Sequence, residues 1–156
     1  WMGVEVGFRD GFATCNYEAR GLVRIVPRVY TWLEKGRPER AFVFIHSCDI
    51  HCPYSSRDPF DSAFCEFHRQ HLKGKCEELP LMKISLTEND RHAISAHYDG
   101  GIRSSDAYVR ELLKRLCEWN LYEEELIVVT SDHSEALGGH DQSGHGACTW
   151  STFWYL

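Results

Sequence analysis

Two apolar runs and one long helical period stand out along the 156-residue chain. Residues 41–47, AFVFIHS, and residues 126–129, LIVV, are continuous apolar stretches rich in β-branched and aromatic side chains. Apolarity that does not alternate is the pattern of a strand buried on both faces, as in a parallel sheet. It predicts strands over 41–47 and 126–131. Between them Ile94, Tyr98, Ile102, Val109, Leu112, Leu113 and Leu116 follow helical spacing. Thr87 with Asp90 three residues on forms a capping-box pattern, and Asn120 is a stop signal, so a helix is predicted over 87–119. Gly100–Gly101 is expected to kink it or split it in two. A short helix is predicted from Pro27 to Lys35, with the proline in its first turn and Gly36 just past its end.

The order helix, strand, loop, long helix, strand is an α/β signature, with the two strands parallel and joined right-handedly. The crossover carries a polar, irregular insert from Lys73 to Leu86. With 43% hydrophobic and 26% charged residues the chain has the composition of one globular domain. Its closing run, Phe153, Trp154, Tyr155 and Leu156, would be exposed in a finished domain, so residues 1–156 are expected to be part of a larger one.

This topology places chemistry. The stretch TSDHSEALGGHDQSGHG, residues 130–146, sets Asp132 and His133 just past the second strand, where open α/β sheets place their ligands. Asp49 and His51 follow the first strand in the same way, within SCDIHCPYSSRDPF, whose prolines 53 and 59 stiffen the loop. Taken alone, His51 reads equally well as a solvated loop histidine. Two such edges side by side point to a site.

Other classes fall away. A formal net charge of −6 with no Lys/Arg block argues against nucleic acid as the main partner. No apolar run reaches the roughly 18 residues of a membrane span. Seven cysteines contain no CxxC pair, which argues against a zinc ribbon. Cys48 reads as the continuation of a strand and Cys52 as a small core filler. His133, His140 and His145 lack the i, i+4 spacing of a helical zinc motif.

FVFIHSCDIHCPY resembles the sulfatase pattern of an apolar strand followed by Asp-x-His-x-Pro-Tyr. YDGGIRSSDAYVRELLKRLCEWNLYEEELIVVTSDHSEALGGH is similar to the family's stretch ending in a strand and Thr-Ser-Asp-His-Gly-Glu, and GHG at 144–146 to its Gly-(His/Lys)-Gly element. VGFRDGFATC is similar to an upstream Gly-Phe-Asp segment. The resemblance covers nearly the whole chain and implies an alkaline-phosphatase-like fold: an α/β domain with a mixed, mainly parallel sheet flanked by helices, here incomplete.

For function it implies a sulfuric ester hydrolase acting on a small-molecule or glycan sulfate ester. Asp132 matches a carboxylate ligand of a divalent cation, with His133 beside it as a further ligand or a sulfate-facing donor. Family precedent favours Ca²⁺, with Mg²⁺ or Mn²⁺ as alternatives suited to oxygen and imidazole donors respectively. His51 matches the leaving-group acid, and His145 the donor to a sulfate oxygen. The parent is expected to be exported, periplasmic or lysosomal.

The departures are equally specific. The family's opening strand with paired aspartates does not occur in these residues. Nor does the Cys/Ser-x-Pro-x-Arg segment whose first residue becomes formylglycine, the nucleophile; CPYSSR has the wrong spacing. Both are expected in a preceding segment of the parent. Ser134 replaces a glycine, Gly139 stands where glutamate is common, and Gly101 replaces the glutamate of the Tyr-Asp-Gly-Glu pattern. Phosphodiesterases, phosphonate hydrolases and phosphoglycerol transferases of the superfamily share the Asp-His loop. They remain alternatives, as does a non-catalytic sulfatase-like protein.

Overall fold

The computed structural model describes residues 7, 9–16, 21–36, 39–52, 54, 60, 87–123, 125–133, 135–137 and 143–144. The chain divides into two compact units, Trp1–Ser47 and Cys48–Leu156.

The first unit is built on helix α1, Leu22–Glu34. It begins before Pro27 rather than at it, so the expected start is corrected. Gly21, at φ 71°, caps it, and its carbonyl accepts from the N–H groups of Arg24 (3.0 Å) and Ile25 (3.1 Å). Leu22 and Val26, one turn apart, are the buried residues of the helix, so burial favours the turn that precedes the proline. Pro27 sits inside at the cost of one ladder bond, and its carbonyl accepts from Thr31 Oγ1 at 3.0 Å. Gly36 follows the end as expected, with a φ of 101° that favours glycine.

Residues 41–47 belong to no described strand. Within the run the rings of Phe44 and His46, two residues apart, stack with centroids at 6.5 Å and an interplanar angle of 4°. Phe42 is 77% exposed. Apolar side chains and β-propensity favour a strand only where a second layer covers them, and no such layer lies among the described residues. Phe12 meets Phe42 instead, ring centroids 6.0 Å apart.

The second unit is organised by helix α2, Glu88–Glu118, which spans 31 residues and passes unbroken through Gly100–Gly101. The expected split is therefore corrected. Both ends are fixed by the predicted signals. Asp90 N–H donates to Thr87 Oγ1 (3.2 Å) and Thr87 N–H to Asp90 Oδ2 (3.0 Å), a reciprocal capping box. At the other end Asn120 takes φ 56°, its N–H donates to Cys117 O, and Leu121 N–H reaches back to Leu116 O at 2.9 Å. That is a Schellman motif with asparagine in the left-handed position.

Cys52, Tyr54, Ala93 and Ile94 form the buried cluster of this unit, with Ala96, Tyr98 and Leu137 packed against it. The described sheet is one antiparallel pair, β1 (Ala136–Leu137) and β2 (Ser143–Gly144), in the register Ala136↔Gly144 and Leu137↔Ser143. Residues 126–131 belong to no described strand, and Leu126 is 91% exposed. The expected parallel sheet is thus not among the described elements, for the reason that applies to 41–47. Among the described residues no helix is long and apolar enough to cross a membrane. The Lys73–Leu86 insert and Phe153–Leu156 lie outside the described residues.

Candidate functional site

The segment carrying His51 is a tight turn that opens the second unit. His51 N–H donates to Cys48 O at 3.1 Å, and beyond the turn Cys52 and Tyr54 are buried at 6% and 5% exposure. His51 itself is exposed, with Nδ1 hydrogen-bonded to the carbonyl of Cys52. Placing the Nδ1 proton on that carbonyl directs exchange chemistry to Nε2. Cys52 is a core residue, as its sequence context suggested; Cys48 is exposed.

Helix α2 backs this turn. An added Cβ at Gly101 would meet Asp49 O at 3.5 Å and the Ile50 Cα at 3.7 Å. The turn thus packs beside the helix at a distance that a methyl group would just fill, while the longer side chain of a glutamate at 101 would start out against the Asp49–Ile50 backbone.

On the other side the turn is joined to the segment after residues 126–131. Tyr54 Oη donates to Glu135 Oε2 at 2.9 Å across 81 residues of sequence. Tyr98, from α2, stands edge-on to Tyr54 with centroids 5.6 Å apart and an interplanar angle of 84°. Burial, then the charge and hydrogen bond of Glu135, push the Tyr54 phenol far above its ordinary range. Tyr98 is also raised, by burial first and then by Glu135 and Asp99.

Asp132 and His133 lie just before this contact. The Asp132 side chain is 73% exposed and that of His133 21%. His133 N–H donates to Asp132 Oδ1 at 3.1 Å, and Ser131 Oγ donates to the His133 carbonyl, also at 3.1 Å. Asp132 Oδ2 and His133 Nε2 are 3.9 Å apart. Two donors each about 2.0–2.6 Å from one cation span such a separation at an obtuse angle, so the pair fits part of a divalent-cation shell. Among the described residues no group of three or more His, Cys, Asp or Glu is placed to hold a metal. His145, His140, Ser134 and Gly139 lie outside the described residues.

A separate groove of about 550 Å³ runs along α2, lined by Phe60, Asp99, Ile102, Arg103, Asp106 and Arg110. It is open, its charges balance, and it shares no residue with the two segments above.

What the sequence did not single out is the partnership of Tyr54 with Glu135. Both lie in motifs that were read, but nothing in the sequence signals that the two side chains pair.

The family model for Sulfatase matches residues 22–153. The chain belongs to the sulfatase family. The family implies an α/β fold of the alkaline-phosphatase type, and its members are typically hydrolases of sulfate esters that use a divalent metal. No curated protein and no solved structure matches the chain.

Proposed function

We propose that this sulfatase segment supplies the leaving-group side and part of the metal side of a sulfuric ester hydrolase centre. The observation that carries the reading is the direct link between the His51 turn and the Asp132–Leu137 segment, made by Tyr54 and Glu135 within a chain of this family. Asp132 would offer a carboxylate oxygen and His133 an imidazole nitrogen to a divalent cation, Ca²⁺ by family precedent, which when bound would supply charge stabilisation for the sulfate oxygens.

His51 acts as imidazolium: Nδ1–H stays on the Cys52 carbonyl while the Nε2 proton passes to the departing ester oxygen. The S–O bond breaks as the alcohol leaves neutral. His145 donates to a sulfate oxygen on which charge accumulates. In this reading residues 41–47 and 126–131 are neighbouring parallel strands of the family sheet. Formylglycine would supply the nucleophile, and Cys52, buried and outside a Cys-x-Pro-x-Arg segment, does not qualify for it. The 156-residue chain alone is therefore expected to turn over neither aryl sulfates nor aryl phosphates.

The test is a set of three variants of the full-length gene product, measured on sulfate esters of graded leaving-group pKa. Asp132→Asn weakens the cation and lowers kcat/KM on every ester alike. His51→Ala costs little on a nitrophenyl sulfate and about 10²–10⁴-fold on an alkyl or sugar sulfate. His145→Ala lowers all sulfates by a similar factor. Equal losses for His51→Ala across the series would remove it as the acid. Turnover of phosphate esters in preference to sulfates would move the enzyme to the phosphodiesterase branch.

A further inference from the structure

The part-buried Tyr54–Glu135 bond has a feature that packing does not require. A buried phenol needs an acceptor, and a nearby backbone carbonyl serves that purpose at little desolvation cost. Here the acceptor is a carboxylate from a distant part of the chain, which makes a stronger and more directional bond. Its two ends are informative. Tyr54 is three residues past His51, and Glu135 is two residues past His133. The Tyr54 ring is fixed by Cys52, Ala93 and Ile94 in the buried cluster and by the edge of Tyr98, while Leu137, next but one to Glu135, packs on the same cluster. Gly101 supports the turn from behind at Asp49 and Ile50.

We propose that Tyr54 and Glu135 are a positioning pair, a clamp that fixes the His51 turn relative to Asp132 and His133. The inference rests on the sulfatase reading above and deepens it by naming residues that set its geometry without touching substrate. Without the clamp the His51 turn keeps its helix support but loses its register against the metal-side segment. Proton transfer is the step most sensitive to that loss.

The test uses Tyr54→Phe, Glu135→Ala, Glu135→Gln and the double variant Tyr54→Phe/Glu135→Ala in the full-length gene product. Tyr54→Phe and Glu135→Ala should each lower kcat on an alkyl sulfate by about 10–100-fold, with KM within about twofold and little change on a nitrophenyl sulfate. Glu135→Gln, which still accepts the phenol proton, should restore most of kcat. The double variant should be no worse than either single one. Losses of one size on both esters, together with lowered thermal stability, would reduce the pair to a structural contact and overturn the proposal.

A wild-type protein that cleaves no sulfate ester would sink the functional reading instead. The clamp is then judged by NMR on the same proteins. Matching shifts of the His51 ring and of the Asp132 and His133 amides in Tyr54→Phe and Glu135→Ala support it. Shifts confined to one segment in each variant overturn it.

Discussion

Helix α2 is one element with two different lives. From Glu88 to Gly101 it presents Asp90, Ala93, Ile94, His97, Gly100 and Gly101 to the interior, the only buried residues of the helix. From Ile102 onward the described contacts lie largely on its own surface. Arg110 pairs with Asp106 at 2.7 Å, Arg115 with Glu118 at 2.9 Å, and the Arg115 guanidinium lies 5.1 Å over the Trp119 ring. Exposed i, i+3 and i, i+4 pairs of this kind contribute only about 0.3–0.5 kcal/mol each, against about 1.5–3 kcal/mol for one fully buried aliphatic side chain. The periodicity of Ile94, Tyr98, Ile102, Val109, Leu112 and Leu116 runs through both halves. A helical stripe marks which face is suited to burial; whether it is buried depends on what comes to cover it.

The largest expected effect separates the halves directly. Ile94 is 0% exposed, and Ile94→Ala should cost about 2–5 kcal/mol in urea unfolding, whereas Leu112→Ala, half-exposed, should cost less than about 1 kcal/mol. Equal losses would mean that the second half is packed as firmly as the first. A smaller contrast sits at Gly101. Ala at this site only touches the Asp49–Ile50 backbone and gains helix propensity, so Gly101→Ala should stabilise by up to about 1 kcal/mol. Gly101→Glu should destabilise by about 1–3 kcal/mol, because it pushes the His51 turn outward.

The last effect appears only in alkali. Burial and Glu135 hold the Tyr54 phenol above its ordinary value of 10.0. In the unfolded chain that phenol loses its proton near the ordinary value, while the folded chain keeps it. The unfolded state then binds fewer protons, and stability, fully present below that pH, falls as pH rises through it. Urea unfolding should show a decline of about 1.4 kcal/mol per pH unit from this one group above about pH 10. Tyr54→Phe should remove that slope. An unchanged slope would detach Tyr54 from the well-packed half of the molecule.

Local signals were the legible ones. Thr87 and Asp90 announced the start of α2 and Asn120 its end, because caps are made within a few residues of sequence. Pro27 misled for the same reason: its preference for a first turn is weak beside the burial of Leu22 and Val26. The sheet depended on partners that a single run cannot specify, so 41–47 and 126–131 were readable as strand-forming but not as strands in place. At the site, the motifs around His51 and Asp132 could be read as chemistry. The bond that joins their segments could not, since a tyrosine and a glutamate 81 residues apart leave no mark of their pairing in one sequence. Gly101 read as a lost carboxylate in sequence, and its place beside the Asp49–Ile50 backbone was not legible there.

Residues 126–129 carry an expectation for how this polypeptide behaves in concentrated solution. Leu126, Val128 and Val129 are 91%, 72% and 74% exposed in a short run with no charge and no proline. That is the composition of a cross-β segment, able to template pairing between chains through its unladdered backbone. The three glutamates at 123–125 stand directly before it as gatekeepers, and their mutual repulsion opposes stacking in register. The chain should therefore stay dispersed at low salt and precipitate first at high ionic strength, which screens that repulsion.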